Sequence, residues 1–337
     1  MSQLTGVIRE ERPTVLIVDD LESNLELMEA IFLKEGFRTL VAPDAFSALR
    51  IFRYNKVDLA ILDVMMPGMD GYELCKHMKE TSGKQFFPVI LLTALTDRNS
   101  KIKGLESGAE DFISKPFDDV ELVTKVKSLI RLKNLHDELE HSENIIMTLA
   151  VAMEARDPYT KGHSTRVGKM AKSFASYLGF SKKEQEQLRK AGILHDIGKI
   201  SLSTSLLCKK ENLNKDEMEA IKRHTIVGEE ICRPLISMRE VLPVIRSHHE
   251  RWDGRGFPDG LRGEKIPLNA RILSIIDTFD AMVSRRPYRE GMSINKAVSI
   301  FMEERDYGQW DPGLVDYFLS MMESMGEDRI KEWLNLQ

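Results

Sequence analysis

Between residues 14 and 116 the chain alternates short apolar runs with amphipathic stretches of helical length. Because runs that are apolar throughout suit strands buried on both faces, they predict a parallel sheet covered by helices. Strands that alternate with helices form a doubly wound α/β domain, whose ligands lie at the carboxyl ends of the strands. The runs are TVLIVDD (14–20), RTLVAP (38–43), VDLAILD (57–63), PVILLTA (88–94) and DFISKP (111–116).

The strand pattern ends after Phe117. Residues 118–150 contain neither Gly nor Pro and predict one long helix that links two domains. Residues 151–337 are rich in helix formers, with Gly and Pro gathered around 253–268, and predict an all-α domain with one functional loop. The linker helix either packs on its own domain or pairs with a second copy, because a short heptad seam runs through Leu132, Leu135, Leu139, Ser142, Ile146 and Leu149.

Composition limits the class of protein. A chain of 337 residues, 42% of them hydrophobic, is long enough for about two domains, each with its own core. The formal net charge of -5, without a dense Lys/Arg block, argues against nucleic acid as a partner. No apolar run reaches the roughly 18 residues of a membrane span, and the N-terminus does not resemble a secretion signal. The odd, scattered cysteines Cys75, Cys208 and Cys232 predict reduced thiols in a cytoplasmic protein.

Charged and hydroxyl side chains follow the predicted strands at one edge of the sheet. Asp19 and Asp20 end the first run, Asp63 ends the third, and Thr93 and Lys115 lie at the ends of the fourth and fifth. Clustered carboxylates repel one another unless a hard cation joins them, and Mg²⁺ prefers such oxygen ligands. A carboxylate held beside Mg²⁺ is a plausible phosphoryl acceptor, with the ammonium and hydroxyl groups neutralising the transferred oxygens.

Residues 13–132 resemble a two-component receiver domain. The resemblance implies that Asp63 accepts a phosphoryl group from a histidine kinase and that Asp19 and Asp20 bind Mg²⁺ with it. Thr93, Phe112 and Lys115 would then form the switch that reports phosphorylation. The motifs that carry the resemblance are VDD (18–20), DVMMPGMDG (63–71), LTA (92–94) and KPF (115–117).

The chain has eight histidines, of which His77, His136 and His141 lie among polar residues and are expected to be solvated. The other five histidines lie in motifs of the predicted helical half that also contain Gly or Asp. Imidazole and carboxylate groups are the usual ligands of Fe, Mn and Zn. The candidate metal ligands are His163, His195, Asp196, His224, His248, His249 and Asp277.

Hydrolysis of a phosphodiester explains why such a set would be needed. The substrate is anionic, so the reaction requires charge neutralisation and a nucleophile formed near neutral pH. Two metals about 3.5–4 Å apart supply both. Asp196, next to His195, is the natural bridging ligand. Lys199, about one helical turn further on the same face, is expected to meet a substrate phosphate.

Residues 145–325, within a predicted domain of residues 145–337, resemble the HD-GYP subfamily of the HD phosphohydrolases, through HDIGK (195–199), HHERWDGRGFPDG (248–260), GLRGEKIP (260–267) and RRPYRE (285–290). The resemblance implies a metal-dependent phosphodiesterase that opens cyclic di-GMP to pGpG, and on to GMP, with Fe or Mn as cofactor. It assigns the seven candidates above as metal ligands, with Asp196 bridging. Lys199 and Arg286 would bind substrate phosphate, and Asp157 and Asp280 would orient ligand imidazoles.

Two departures from the family pattern bear on the site. Phe257 replaces the namesake tyrosine, which removes a hydroxyl but keeps the ring. Tyr159 stands where members with a third metal have a carboxylate, and Glu154 is too far along the helix to substitute, so we expect a two-metal centre.

The sequence thus predicts a response regulator in which phosphorylation controls a phosphodiesterase through the linker helix. The expected partners are cyclic di-GMP, a histidine kinase, diguanylate cyclases at the Gly-rich loop and a second copy in a homodimer. Two alternatives stay open: a non-catalytic module that senses cyclic dinucleotides or docks partners, and an HD hydrolase acting on another cyclic dinucleotide or on a nucleotide such as ppGpp.

Overall fold

A computed structural model describes residues 12–83, 85–94, 103–104, 106–154, 162–209, 211–284, 291–325 and 330. The chain divides into two compact units, Met1–Glu140 and His141–Gln337. Within the described residues, no helix combines the length and apolarity that a membrane crossing requires.

The first unit contains a five-stranded parallel sheet in the order β2-β1-β3-β4-β5, which confirms the predicted doubly wound α/β fold. Every residue of β1, β3 and β4 is buried, as continuous apolar runs predict. β2 and β5 are only partly buried, because each is an edge strand with a neighbour on one side. The strands are β1 (Thr14–Val18), β2 (Arg38–Ala42), β3 (Leu59–Asp63), β4 (Val89–Thr93) and β5 (Asp111–Ser114).

The strand register brings the acidic residues to one edge. Val18 pairs with Leu62 in the neighbouring strand, so Asp19 and Asp63 follow at adjacent positions. The first strand ends at Val18, earlier than the predicted run, which leaves Asp19 and Asp20 in the loop that enters the next helix. The helices of this unit before the linker are α1 (Glu22–Lys34), α2 (Ala45–Tyr54) and α3 (Gly71–Ser82).

One helix, α4 (Asp119–Met153), spans the predicted linker and crosses the boundary between the two units. Leu132, Leu135, Leu139 and Leu149 of the heptad seam are about half exposed. Ile146 is partly buried and packs against the core of the second unit. Ile146 is thus the seam residue that packs into a core, and the first three leucines of the seam form an exposed apolar stripe.

The described part of the second unit is helical throughout, which confirms the predicted all-α class. A 3₁₀ helix, Ile197–Ser201, interrupts the α-helical order directly after the HD motif. The α-helices are α5 (His163–Tyr177), α6 (Lys182–Leu194), α7 (Thr204–Leu207), α8 (Lys215–Lys222), α9 (His224–Cys232), α10 (Leu242–Ser247), α11 (Leu268–Val283), α12 (Ile294–Glu304) and α13 (Pro312–Met325).

Helices α5 and α6 cross at a pair of glycines. A Cβ atom at Gly192 would lie 2.7 Å from the Cα of Gly168 and 2.8 Å from its amide nitrogen. No side chain fits between two backbones at that separation, so this crossing depends on glycine. It fixes the start of α5 and the end of α6, where two of the candidate ligands lie.

We expect Gly192→Ala to lower the free energy of unfolding of the second unit by about 1–3 kcal/mol, the usual cost of overpacking. Urea unfolding followed by tryptophan fluorescence reports on this unit alone, because Trp252, Trp310 and Trp333 all belong to it.

The matched control is Gly313→Ala, whose Cβ would meet only Asp311 Oδ1 at 3.4 Å. It should leave the unfolding midpoint close to that of the wild type. Equal midpoints for both variants would show that the glycine crossing is not a constraint.

Candidate metal centre and phosphorylation pocket

The pocket of the first unit joins three carboxylates and one ammonium group. Asp19, Asp20 and Asp63 each offer an oxygen within 4.8 Å of the others, with Asp19 and Asp63 buried and Asp20 exposed. Lys115 Nζ lies 2.7 Å from Asp19 Oδ2 and 3.0 Å from Asp63 Oδ1. Such a cluster of oxygens around a cationic side chain is suited to bind a hard divalent cation.

Burial and charge act against each other in this pocket. Burial raises the pKa of Asp63, while the ammonium group of Lys115 opposes that rise. Burial lowers the pKa of Lys115, but hydrogen bonds to Asp19 and Asp63 outweigh it and raise the pKa overall. Lys115 therefore stays charged beside the carboxylate that would receive a phosphoryl group.

The switch candidates flank this cluster. Thr93 is buried at the end of β4, and Phe112 lies partly buried in β5 against the sheet core. The sequence analysis missed Asn24, whose Nδ2 donates to Asp19 Oδ1 and Oδ2 at 2.9 and 3.0 Å. An asparagine inside a helix carries no motif, so only its proximity to Asp19 reveals this role.

In the second unit the candidate histidines converge from helix ends. His163 begins α5 and His224 begins α9. His195 directly follows α6, and His248 directly follows α10, with His249 next in the chain. Asp277 lies within α11. The other three histidines lie elsewhere: His77 and His141 are exposed as expected, but His136 is half-buried, with its ring 5.5 Å from Phe86.

The ligand atoms form three overlapping groups, each with its atoms within 4.8 Å of one another. Asp196 belongs to the group that connects the other two. Its Oδ2 lies 3.4 Å from His195 Nε2, and its Oδ1 lies 3.4 Å from His224 Nε2. The carboxylate thus has one oxygen toward each side of the cluster. The groups are His163, His195 and Asp277; His224, His248 and His249; and His195, Asp196 and His248.

Backbone carbonyls orient three of these rings in the same way. Nδ1 of His195, His224 and His248 lies 2.6–2.8 Å from the carbonyl oxygen three residues earlier in each case. A carbonyl can only accept, so each Nδ1 carries a hydrogen, and in the neutral ring Nε2 is then the atom with the lone pair. This is the usual arrangement behind metal-bound imidazoles.

His163 is oriented by a carboxylate instead. Its Nδ1 lies 2.7 Å from Asp280 Oδ2, and its Nε2 lies 3.1 Å from Asp277 Oδ1. Although burial lowers the pKa of this ring, the two carboxylates raise it to about 10. A cation bound at Nε2 would take the place of that proton. Asp280 thus lies where it was expected, behind a candidate ligand.

The remaining charge pattern suits metal binding. Burial, together with neighbouring imidazoles, lowers the pKa of His248 well below its usual range and that of His249 to about 4. Burial opposes ionisation of Asp196 and Asp277, but the Lys199 ammonium beside Asp196, and the imidazoles around both, hold their pKa values below the usual range. Neutral imidazoles and ionised carboxylates are the forms that bind metal ions.

Two buried atoms of the cluster have no hydrogen-bond partner within the described part of the chain: His195 Nε2 and Asp196 Oδ1. Buried polar atoms are nearly always satisfied, so each requires a partner of another kind. Their nitrogen and carboxylate donors match the preferences of divalent Fe, Mn and Zn. On this observation the residues fit a metal cofactor.

A cavity of about 360 Å³ opens beside the cluster. Lys199 lines it but lies in the 3₁₀ helix, with Nζ 2.6 Å from Asp196 Oδ2. Lys199 was expected to meet a substrate phosphate. In the structure its ammonium group contacts Asp196, the proposed bridging carboxylate. Lys209, which the sequence analysis did not single out, supplies a second ammonium group, and the apolar part of the wall consists of Leu206, Leu207, Leu213, Ile221 and Ala281.

The Gly-rich loop keeps an aromatic ring on the cluster despite the missing tyrosine. The rings of Phe257 and His249 lie 4.9 Å apart and tilted by 35°, and Lys222 Nζ lies 5.8 Å from the Phe257 ring centre. Glu250, which the sequence analysis overlooked, is buried and accepts the amide hydrogens of Asp259 and Leu261 at 2.7 and 3.0 Å. The buried carboxylate of Glu250 thus fixes the backbone of the loop through two hydrogen bonds.

Three of the residues considered in the sequence, Arg286, Asp157 and Tyr159, lie outside the described residues. Glu154 is buried and accepts the amide hydrogens of Gly162 and Ser164 at 2.6 and 2.5 Å, so it caps the start of α5. Both of its carboxylate oxygens are engaged there, in keeping with the expectation that it is not a metal ligand.

Comparison with known proteins covers both units. A family model for the response regulator receiver domain matches residues 15–127, and one for the HD domain matches residues 147–314. The cyclic di-GMP phosphodiesterase response regulator RpfG of Xanthomonas campestris is 32% identical over 90% of this chain and 86% of its own length. A probable cyclic di-GMP phosphodiesterase of Vibrio cholerae is 32% identical over 91% of this chain and 77% of its own length.

A third relative matches half of the chain. The 3'3'-cGAMP-specific phosphodiesterase 3 of Vibrio cholerae is 38% identical over 50% of this chain and 37% of its own length. The two relatives above extend across both units, and their names agree with the two domain matches. The chain therefore belongs to the HD-GYP family of response regulators, in which a receiver domain precedes an HD phosphohydrolase domain.

Proposed function

We propose that this protein is a response regulator that hydrolyses cyclic di-GMP to pGpG or GMP at a two-metal site, under control of phosphorylation at Asp63. The observation that carries the proposal is the position of Asp196, whose two oxygens face different groups of imidazoles. The names of the two relatives that span both units support the substrate.

The proposed ligand assignment follows the three groups. His163, His195 and Asp277 would hold one cation, and His224, His248 and His249 the other, with Asp196 bridging them. Fe or Mn suits this donor set. When bound, the pair supplies an activated water and stabilises the oxyanions that develop at phosphorus.

The chain's own residues would bind and orient the substrate. Lys199 and Lys209 line the cavity, where their ammonium groups are paired with Asp196 and Glu217, respectively. Lys199 would exchange its contact with Asp196 for a substrate phosphate, with Arg286 as the second phosphate ligand. The leucines and Ile221 form an apolar wall against which a purine base can pack while water is excluded.

Control would originate in the receiver pocket. A histidine kinase donates the phosphoryl group to Asp63, with Mg²⁺ held by Asp19, Asp20 and Asp63. We assign residues 13–132 to the receiver domain, 118–150 to the signalling helix and 145–337 to the phosphohydrolase domain. The shared helix α4 is the element that both domains could bias.

A second substrate is a candidate because half of this chain also resembles a 3'3'-cGAMP-specific phosphodiesterase. Both substrates are cyclic dinucleotides and differ in one base, so the same metal centre would act on either. Competition between the two in one assay would identify the preferred substrate.

The exposed stripe Leu132, Leu135 and Leu139 supports a homodimer through α4. Three leucines spaced by three and four residues form a heptad seam that a second copy of the helix could cover. A phosphorylation signal could then act through helix pairing.

Asp196→Asn should lower kcat for cyclic di-GMP about 10²-fold or more, because a shared ligand is lost and metals contribute several kcal/mol to transition-state stabilisation. The measurement is pGpG and GMP formation by chromatography, with metal content determined on the same samples. Asp306→Asn, an exposed carboxylate of the same unit, is the control. Wild-type turnover in the Asp196 variant would contradict the bridging role, and binding without any turnover in the wild type would favour a sensor.

Asp63→Asn should abolish phosphorylation by a small-molecule phosphodonor, because the amide cannot form an acyl phosphate. Intact mass measures the phosphorylated fraction, and turnover is compared with and without donor. Asp70→Asn is the control, since Asp70 caps α3 and asparagine is an equally good cap. Equal turnover and oligomeric state in phosphorylated and unphosphorylated wild type would remove the regulatory part of the proposal.

Replacing Leu135 and Leu139 together by Asn should shift the protein toward monomer in sedimentation velocity, because two positions that the proposed helix pairing would bury become polar. The control is Leu27→Asn, a similarly exposed leucine on α1. An unchanged mass for the double variant would show that α4 does not carry the interface.

A further inference from the structure

Behind His163 lies a two-point ion pair. Arg166 Nε is 2.7 Å from Asp280 Oδ1, and Arg166 Nη2 is 2.9 Å from Asp280 Oδ2. The same Nη2 donates to Ser284 Oγ at 3.0 Å. Asp280 is wholly buried, and its Oδ2 also lies 2.7 Å from His163 Nδ1. A guanidinium group, a carboxylate and a candidate ligand therefore form one connected chain.

The two proposed cation sites differ in what supports them. The group of His163, His195 and Asp277 contains a carboxylate of its own and is backed by the Asp280 carboxylate. The group of His224, His248 and His249 consists of imidazoles only. Nδ1 of His224 and Nδ1 of His248 donate to neutral backbone carbonyl oxygens. A cation gains more from the first set, because anionic ligands and anionic groups behind ligands both attract it.

We propose that the two cation sites are unequal, that the His163 group retains its metal more strongly, and that Arg166 is the positioning residue that sets this difference through Asp280. The inference rests on the two-metal centre of the proposed function, but not on its substrate. A carboxylate behind a ligand imidazole fixes the ring and strengthens it as a donor. A bidentate arginine fixes that carboxylate in turn.

Arg166 is placed to act on the site that contains His163. It lies one turn after His163 in α5 and reaches across to Asp280 in α11 and to Ser284, the residue that follows this helix. Loss of a group behind a metal ligand typically weakens metal binding about 10–100-fold. We expect an effect of that size on one cation and none on the other.

The experiment loads the full chain with Mn²⁺ and measures retained metal by mass spectrometry after equilibration with increasing chelator. Wild-type protein should release two equivalents in two separate steps. His249→Ala should lack the step at low chelator concentration, which assigns that step to the imidazole-only site. Circular dichroism monitors folding of every variant.

Arg166→Gln should move only the second step, about 10–100-fold toward lower chelator concentration. Arg166→Lys keeps the charge without the two-point contact and should move it less; it carries the test if the glutamine variant does not fold. The control is Arg271→Gln, which removes another partly buried ion pair of this unit, between Arg271 and Asp311 at 2.7 Å. Neither Arg166 nor Arg271 is among the residues that line the cavity.

The possible outcomes separate the claims. Absence of bound Mn²⁺ in the wild type would overturn the metal centre itself and this inference with it. Release of both equivalents in one step would overturn the inequality of the sites while leaving the proposed activity intact. A wild-type profile for the Arg166 variants, or the same loss in Arg271→Gln, would overturn the positioning role of Arg166.

Discussion

The carboxylate of Asp196 is the constraint on which the second unit depends. It lies beside buried imidazoles, and one of its oxygens has no hydrogen-bond partner among the described residues. A buried charge is tolerated only when other charges offset it. Lys199 provides one such contact, and a pair of cations would provide the rest. Four surrounding helices bring imidazoles toward this group at their ends: His163 and His224 begin α5 and α9, and His195 and His248 directly follow α6 and α10.

Each unit holds buried carboxylates, and the two units differ in how these groups are brought together and stabilised. In the first, the parallel sheet collects carboxylates at its edge, and Lys115 offsets them. In the second, helix ends and the turns after them collect imidazoles around a carboxylate, and backbone carbonyls set the ring orientation. The strand register makes the first site a consequence of topology. The second depends on close packing between helices, of which the Gly168–Gly192 crossing is the clearest case.

These origins explain what could be predicted from the sequence. Asp19 and Asp63 follow strands, and parallel strands end at one edge, so their meeting follows from periodicity alone. The convergence of the histidines could be expected only through family resemblance, since no local pattern joins helix ends that are far apart in the chain. Arg166 was missed because its partner Asp280 is distant in sequence, and Asn24 because it lies outside any motif. Glu250 lies inside the Gly-rich motif, but only the folded loop brings the amides of Asp259 and Leu261 to its carboxylate. The contact between Lys199 and Asp196 depends on a 3₁₀ turn that helical spacing does not describe.

The placement of the ligands at helix ends also bears on how the protein matures. As the ribosome synthesises the chain, His163 emerges first and Asp277 last, so neither the first cation group nor the Asp280 carboxylate behind it is complete until α11 has been made. An ion captured by the nascent polypeptide would meet an incomplete set of donors. The group of His224, His248 and His249 is complete earlier in synthesis, so the two halves of the cluster become available to an ion in a fixed order.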